Sequence, residues 1–286
     1  MYREFFGLKE KPFNVTSDPS YLFSSRVHKE AFAHLIYGIQ ERKGFLEITG
    51  EIGAGKTTLC RQLLRRLDAN TKTAFILNST LPELQLFRAI MEDFGLDVGQ
   101  KDKVEMLQQF NRFLIEELSR GNNVILIIDE AQNLDLSTLE EIRMLSNLET
   151  DKEKLFQVIL VGQPELRNKL NSPALKQLRQ RIGVRFHMTP LDKDEVSQYI
   201  YHRLKVAGSN GEIHFSDDAL KAVAQYSGGV PRLINMVCDK ALLMAYVMET
   251  NDISLAMIER SIQEIEGLVS YEYNTGSFEK GAGVVG

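Results

Sequence analysis

The segment GEIGAGKTT, residues 50–58, decides the fold of this chain. It follows the apolar run FLEI, leads into the helical pattern TTLCRQLLRRL, and matches the P-loop pattern G-x-x-x-x-G-K-[ST]. Glycines allow the backbone to curl until its N–H groups point inward, and the start of the next helix adds positive partial charge. The segment therefore predicts a phosphate-binding loop between a strand and a helix.

The lysine and the threonine of the loop are the side chains expected to contact the phosphates and the metal ion. Lys56 is expected to reach the β and γ phosphates of ATP, and the hydroxyl of Thr57 to bind Mg²⁺. An ordinary glycine-rich turn is the alternative, but a lysine in the first turn of a helix opposes the helix dipole unless an anion binds there. The residues assigned to the nucleotide are Gly50, Gly53, Ala54, Gly55, Lys56, Thr57 and Thr58.

A carboxylate site is expected where the run VILIIDEAQ leaves its strand. Asp129 and Glu130 follow the apolar residues directly, and a parallel sheet binds its ligands at the carboxyl ends of its strands. We assign Asp129, together with Thr57, to Mg²⁺, and Glu130 to polarising the attacking water. Two acids that cap the following turn are the alternative. The glutamate favours an ATPase over a kinase of a small metabolite.

Four short runs have the character of fully buried strands, and a fifth run, the last one named below, is a further candidate strand. Helical periodicity separates the runs, which predicts a parallel sheet. They are FLEITG (45–50), TAFILN (73–78), NVILIID (123–129), LFQVILVG (155–162) and GVRFHM (183–188). An amphipathic helix is predicted over 27–40. The predicted fold class is α/β, a P-loop nucleotide-binding fold with a five-stranded parallel sheet.

The patterns divide the chain into four parts. Residues 1–26, rich in aromatics and proline, predict an irregular strap, and 27–190 hold the predicted sheet. After the boundary signal TPLDKDE, the span 191–268 contains only helical patterns and predicts a small all-helical domain. The last part, 269–286, has four glycines and no periodicity, so we expect a flexible tail.

Composition argues against several classes of protein. The 286 residues are 43% hydrophobic and carry a formal charge of -5, which gives no general attraction for nucleic acid or anionic lipid. Two cysteines and five scattered histidines predict neither a disulfide nor a transition-metal site, and we expect the histidines to be ordinary solvent-facing or core-edge residues. No signal peptide is evident, and the longest apolar run, VILII, is far shorter than the roughly 20 residues of a membrane helix. We expect a cytoplasmic protein.

Several stretches together resemble one family of ATPases. These are MYREFFGLKEKPFNVTSDPSYLF at the start, YGIQERKGFLEITGEIGAGKTTLCRQLL around the P-loop, then IIDEAQNL, IRMLSNLET and VILVGQPEL. They are similar to AAA+ ATPases of the ExeA/GspA-like secretion group, over about residues 1–268. ExeA-type proteins continue into a membrane segment and a peptidoglycan-binding region, whereas this chain ends after a glycine-rich tail. We therefore expect the shorter MshM-like pilus-biogenesis ATPases to be the nearer match.

The resemblance implies further site residues. Gln163 lies where the family has its sensor 1 residue, which contacts the γ phosphate or the lytic water, and Arg232 in GGVPRLIN lies at sensor 2. The stretch LRQRIGVRF matches the region that supplies an arginine finger to the neighbouring subunit. Arg181 fits that role better than Arg179, and Arg185 is a weaker third candidate.

The resemblance also implies roles for the two smaller parts of the chain. The all-helical domain acts as a lid over the nucleotide, and the N-terminal strap contributes to the adenine pocket. Phe13, Tyr21 and Phe23 are all candidates for that contact, and the sequence leaves the choice among them open.

The function implied is a Mg²⁺-dependent ATPase that works as a homo-oligomeric ring in assembling a type II secretion, type IV pilus or polysaccharide-export machine. A membrane-anchored partner is then expected to recruit it to the inner membrane. An ATP-dependent DNA-binding regulator of the MuB/TniB transposition type is an alternative, which would use the basic stretches RQLLRR (61–66) and RQRIGVR (179–185). A nucleotide-gated scaffold that barely hydrolyses ATP is another.

Overall fold

The computed structural model describes residues 1–14, 18–77, 79–146 and 154–268. The flexible tail expected over 269–286 lies outside the described residues, as does the last residue of the strand predicted over 73–78. None of the described helices is long and apolar enough to cross a membrane.

A five-stranded parallel sheet forms the centre of the larger part of the molecule. Its strands are β1 Phe45–Gly50, β2 Thr71–Ile76, β3 Asn123–Ile128, β4 Gln157–Gly162 and β5 Ile182–Met188. Their order in space is β2-β3-β4-β1-β5, and every neighbouring pair is parallel. The predicted sheet is confirmed, and its carboxyl ends share one edge.

Helices cover the sheet and form the second part of the molecule. They are α1 Tyr2–Phe5, α2 Arg26–Gln40, α3 Lys56–Arg66, α4 Glu83–Asp93, α5 Lys103–Ser119, α6 Leu136–Leu145, α7 Pro164–Leu170, α8 Lys176–Arg181, α9 Lys193–Val206, α10 Asp217–Ser227, α11 Pro231–Val247 and α12 Leu255–Ile265. The helix predicted over 27–40 begins at Arg26, because Ser25 caps it by accepting from the N–H of His28. Capping boxes start α5 and α9.

The sheet separates two apolar cores. Successive strand residues point to opposite faces, so Ile125 and Ile127 pack with α2 and α3, whereas Leu126 and Ile128 pack with α4, α5 and α6. Residues of β1, β3 and β4 are buried on both faces, which explains why their sequences are continuous apolar runs. The expectation of a fully buried strand was wrong for β2, which lies at one edge of the sheet and is partly exposed. The packing fixes the three strand ends that carry the P-loop, the two acids and Gln163.

The region after β5 is helical, with a core of its own that combines α9–α12. It also contains a small parallel sheet of two strands with two residues each, β6 His214–Phe215 and β7 Asp252–Ile253. The sequence did not predict these strands, because two residues are too few to show a periodic pattern. The domain boundaries stay predictions.

The N-terminal segment packs against this second core rather than against the sheet. Tyr2, Phe6, Leu8, Phe13 and Tyr21 are buried in it. The expectation of a wholly irregular strap was wrong in one respect, since residues 2–5 form α1. Four residues are too few for a periodic signal, and the burial of the aromatic side chains holds this turn in place.

Candidate active site

A cleft with a volume of about 230 Å³ opens to solvent at the carboxyl edge of the sheet. The P-loop forms its floor, the N-terminal segment and α2 form one wall, and the start of α11 forms the other. Small-molecule sites typically lie at such edges or between domains. The cleft therefore has the place of a ligand site.

Two glycines give the P-loop its shape. Gly53 and Gly55 have φ of +81° and +91°, a left-handed conformation that favours glycine. Gly55 is the N-cap of α3, so the helix begins at Lys56 with its amino end toward the cleft. At Gly50 a Cβ would stand 2.7 Å from the carbonyl oxygen of Met188, so only glycine fits between β1 and β5. Backbone N–H groups at the start of a helix, as in this loop, are a common arrangement for binding an anion.

Lys56 is held inside the loop. It is only 5% exposed, and its Nζ donates to the carbonyl oxygens of Gly50 at 2.8 Å and Glu51 at 2.9 Å. Burial lowers the pKa of Lys56, while the nearby Glu130 and Asp129 oppose that shift. A buried ammonium with two carbonyl partners can exchange them for the charged oxygens of a phosphate, which are stronger acceptors.

Thr57 and Asp129 meet across the sheet. The Thr57 hydroxyl donates to Oδ2 of Asp129 at 2.5 Å, and the N–H of Glu130 donates to Oδ1 at 2.9 Å. Asp129 is 2% exposed, and burial raises its pKa despite these hydrogen bonds. A hydroxyl and a carboxylate oxygen side by side are ligands that suit Mg²⁺, whose charge would offset the cost of burying the carboxylate.

Glu130 is positioned by its backbone and by two amides. Its φ of +51° is left-handed, which is uncommon outside glycine and found at functional sites. Its Oε2 accepts from Nε2 of Gln132 at 2.6 Å and from Nε2 of Gln163 at 2.9 Å. The hydroxyl of Ser79 fixes its carbonyl oxygen at 2.7 Å. The structure thus brings Glu130 and Gln163 together, and the roles that the sequence analysis assigned to them stay predictions.

Gln132 was given no role by the sequence analysis, although it lies in the run DEAQ. Besides its bond to Glu130, its Oε1 accepts from the backbone N–H of Gln163 at 3.1 Å. A Cβ on Gly162 would stand 2.7 Å from that oxygen, so the bare glycine at the end of β4 makes room for it. The sequence signal that could have identified Gln132 is its position two residues after Glu130, at the end of a strand.

Arg232 lies on the lid side of the cleft. Pro231 begins α11, and Arg232 follows it in the wall that faces the P-loop. A Cβ on Gly53 would stand 2.5 Å from the Cβ of Arg232, so the two segments are in direct contact. Asn235, one turn on, lines the same wall and accepts a hydrogen bond from Tyr199. The helical region therefore contributes a cation to the cleft.

The three arginines around the start of β5 do not line this cleft. Arg181 ends α8, and its Nη1 donates to the Ser146 hydroxyl at 3.2 Å. Arg185 forms an ion pair at 3.4 Å with Glu47, a buried acid of β1, and also donates to the carbonyl of Arg179 at 3.3 Å. Arg185 is therefore engaged within its own chain.

Of the aromatic candidates for the adenine pocket, Tyr21 and Phe23 line the cleft, whereas Phe13 is buried in the helical core and does not. Arg203, which the sequence analysis did not single out, lies 4.4 Å over the Tyr21 ring. It also donates to the carbonyl of Asn14 at 3.0 Å, so it ties the N-terminal segment to α9. These contacts join residues far apart in the sequence, so no local sequence pattern could predict them.

His28 is an exception to the expectation that the histidines are ordinary solvent-facing or core-edge residues. It is 7% exposed and lines the cleft beside the P-loop. Its position follows from the packing of α2 against the P-loop strand and helix, which the isolated sequence pattern does not reveal.

Comparison with known proteins agrees with this architecture. A family model described as an AAA domain matches residues 39–170. General secretion pathway protein A of Aeromonas hydrophila is 44% identical over 269 residues, which cover 94% of this chain and 49% of that protein. The chain thus spans about half the length of this relative.

Two solved structures are similar in fold. The Aeropyrum pernix ORC2 protein, solved as ADPNP-ADP complexes, gives a TM-score of 0.66 at 17% identity and covers 90% of this chain and 72% of that one. Cdc6p from Pyrobaculum aerophilum gives 0.67 at 18%, covering 87% and 71%. At such low identity these likenesses show the fold alone.

Proposed function

The chain belongs to the AAA+ ATPases related to general secretion pathway protein A, and from this premise we propose that its cleft binds ATP with Mg²⁺ and hydrolyses it to ADP and phosphate. The observation that carries the proposal is the meeting of three strand ends at one point. Lys56 follows β1, Asp129 and Glu130 follow β3, and Gln163 follows β4. The hydrogen bonds that link them support their assignment to one reaction centre.

In this proposal the P-loop backbone and Lys56 bind the phosphates, and Thr57 and Asp129 hold Mg²⁺. The metal supplies positive charge that neutralises the phosphate oxygens during transfer. Glu130 accepts a proton from the attacking water. The amides of Gln132 and Gln163 aim its carboxylate, and Gln163 lies within reach of the same water. Arg232 adds positive charge from the lid side.

We further propose that the active form is a homo-oligomer. The cleft of one chain is lined by Lys56 and Arg232, whereas Arg181 is half-buried outside it. An arginine finger that stabilises the transition state from a neighbouring subunit is worth roughly 10³–10⁵ in rate. Arg185 is the poorer finger, because it pairs with Glu47. Turnover should therefore depend on assembly.

The printed name of the relative suggests the cellular role. We propose that hydrolysis drives subunit rearrangement during assembly of a secretion, pilus or polysaccharide-export machine, with a membrane-anchored partner recruiting the protein. The 44% identity to general secretion pathway protein A supports this role, although the match covers 49% of that protein.

One experiment tests the proposal against its alternatives: ATPase rate and molecular mass measured together, over a range of protein concentration, with and without duplex DNA. We expect Mg²⁺-dependent turnover that rises as oligomers form. Stimulation of roughly tenfold or more by DNA would instead favour a DNA-dependent regulator. An assembled oligomer without turnover would favour a scaffold, and a chain that binds no ATP would contradict the proposal entirely.

A further inference from the structure

Lys169 lies in the last turn of α7 and binds the short 3₁₀ turn that follows Glu130, Ala131–Asn133. Its Nζ donates to the backbone carbonyl oxygen of Gln132 at 2.5 Å and to that of Leu134 at 2.6 Å. Hydrogen bonds from a charged donor are shorter and stronger than those between neutral groups. The half-buried side chain is therefore directed at the backbone of this turn.

The lysine binds the end of the turn that needs a partner. Within the turn, the carbonyl of Glu130 accepts from the N–H of Asn133 at 3.0 Å, and that of Ala131 accepts from the N–H of Leu134 at 3.2 Å. A helical turn leaves its last carbonyl groups without such partners. Lys169 supplies a donor to two carbonyls there, as lysine side chains near the C-terminal end of a helix can.

The first residue of the same helix also binds the turn. Gln163 is the N-cap of α7, and its Nε2 donates to Oε2 of Glu130 at 2.9 Å. Its backbone N–H donates to Oε1 of Gln132 at 3.1 Å. The start of α7 therefore contacts the side chains of this segment, and the end of α7 contacts its backbone. Such a segment has little freedom to shift along the helix.

Gln132 is the side chain whose place depends on this arrangement. Its Nε2 donates to Oε2 of Glu130 at 2.6 Å, while its Oε1 accepts from the N–H of Gln163. A backbone N–H only donates and a carboxylate only accepts, so one orientation of the amide satisfies both partners. Both bonds require the backbone of residue 132 to stay in place, and Lys169 binds the carbonyl of that residue.

We propose that Lys169 is a positioning residue for ATP hydrolysis: by binding the carbonyls of Gln132 and Leu134, it keeps the amide of Gln132 on the carboxylate of Glu130. This inference rests on the proposed function, in which Glu130 accepts a proton from the attacking water. Lys169 does not line the cleft, so its effect on the reaction acts through Gln132. A side chain outside the P-loop and the two acids thus affects the chemical step.

The test separates positioning from nucleotide binding. K169M keeps the long apolar stem of the side chain and removes the donor. R167M, at an exposed arginine of the same helix, is the matched control, because it also removes one positive charge. We measure kcat and KM for Mg-ATP on the full chain at equal oligomeric mass, and the affinity for ADP by calorimetry.

We expect K169M to lower kcat roughly 10- to 100-fold, since a small displacement of a reacting group has effects of that size. The ratio kcat/KM should fall by the same factor, with KM and ADP affinity nearly unchanged, because the interaction serves the transition state. R167M should match the parent. Parent-like kcat in K169M, equal losses in K169M and R167M, or a loss of ADP affinity as large as that of kcat would overturn the proposal.

A double-mutant cycle with Q132A tests whether Lys169 acts through Gln132. Q132A alone should lower kcat, because it removes one of the two amides on Glu130. Adding K169M to Q132A should lower kcat further by no more than about twofold, since the amide that Lys169 positions is then missing. The full K169M factor in the Q132A background would overturn the proposal.

If K169M fails to fold, K169Q decides in the same cycle. Its side chain is shorter and uncharged but keeps a polar end. A several-fold loss of kcat that disappears in the Q132A background supports the proposal, and unchanged kcat overturns it. A parent chain that hydrolyses no ATP is a distinct result, which contradicts the proposed function itself and this inference with it.

Discussion

The two sides of the proposed catalytic centre are built differently. At the carboxyl edge of the sheet, Lys56 and Asp129 are almost fully buried, and their hydrogen bonds within the chain measure 2.5–2.9 Å. Around the α8–β5 junction, Arg179 is exposed and Arg181 is half-buried, and their side-chain hydrogen bonds within the described residues measure 3.5 and 3.2 Å.

This difference indicates that binding and turnover depend on different regions of the molecule. The groups that we propose bind phosphate and metal are preorganised inside one chain, and this arrangement carries the free-energy cost of burying their charges. The hydrogen bonds of the two arginines within the described residues are longer, so we propose that this side can adopt a new partner at lower cost. One region should therefore govern binding by the single chain, and the other should govern turnover by the assembly.

The largest effect is expected on the arginine side. R181A should lower turnover of the oligomer by roughly 10³–10⁵, the range for loss of an arginine finger, while ADP affinity of the chain stays unchanged. The check is steady-state ATPase assay with calorimetry, using R179A as the matched control. Equal losses in both variants, or loss of ADP binding in R181A, would remove the contrast between the two regions.

A smaller loss is expected within the chain. E130Q removes the proposed base but keeps an amide of similar size, so turnover should fall by roughly 10²–10⁴ with ATP still bound. Single-turnover assays and retention of labelled ATP on the purified protein measure the two effects. Hydrolysis at the parent rate would show that Glu130 does not serve as the base.

The smallest effect concerns stability. Burial raises the pKa of Asp129, so its ionised form destabilises the folded state; this cost is complete above the raised pKa and disappears below the unfolded value near 3.8. D129N should therefore raise the melting temperature of the ligand-free protein at pH 7, by roughly 2–4 °C for each kcal/mol relieved. Scanning calorimetry gives the difference, which should shrink as the pH falls.

The same variant supplies its own control. D129N should lose the extra stabilisation that Mg-ATP gives the parent, because the proposed metal site is incomplete. A lower melting temperature without ligand, or full stabilisation by Mg-ATP, would count against a buried carboxylate kept for the metal.

Local patterns predicted most of the fold and much of the candidate site. Apolar runs located all five strands, and β1 matches its predicted bounds of 45–50, because the central strands are buried on both faces. Motif spacing found the P-loop and the two acids. Three contributors were missed: Gln132, His28 and Arg203. Their roles depend on contacts between elements distant in sequence, and a lone glutamine, histidine or arginine has many ordinary explanations.

The central claim is that phosphate is bound by the P-loop while Thr57 and Asp129 share the metal. The most direct measurement is a crystal structure with Mg²⁺ and a non-hydrolysable ATP analogue. We predict the phosphates against the N–H groups of 53–58 with Lys56 turned onto them, and Mg²⁺ beside the Thr57 hydroxyl with Asp129 in its shell. A nucleotide bound elsewhere, or an empty loop with Lys56 still on the Gly50 carbonyl, would contradict the account.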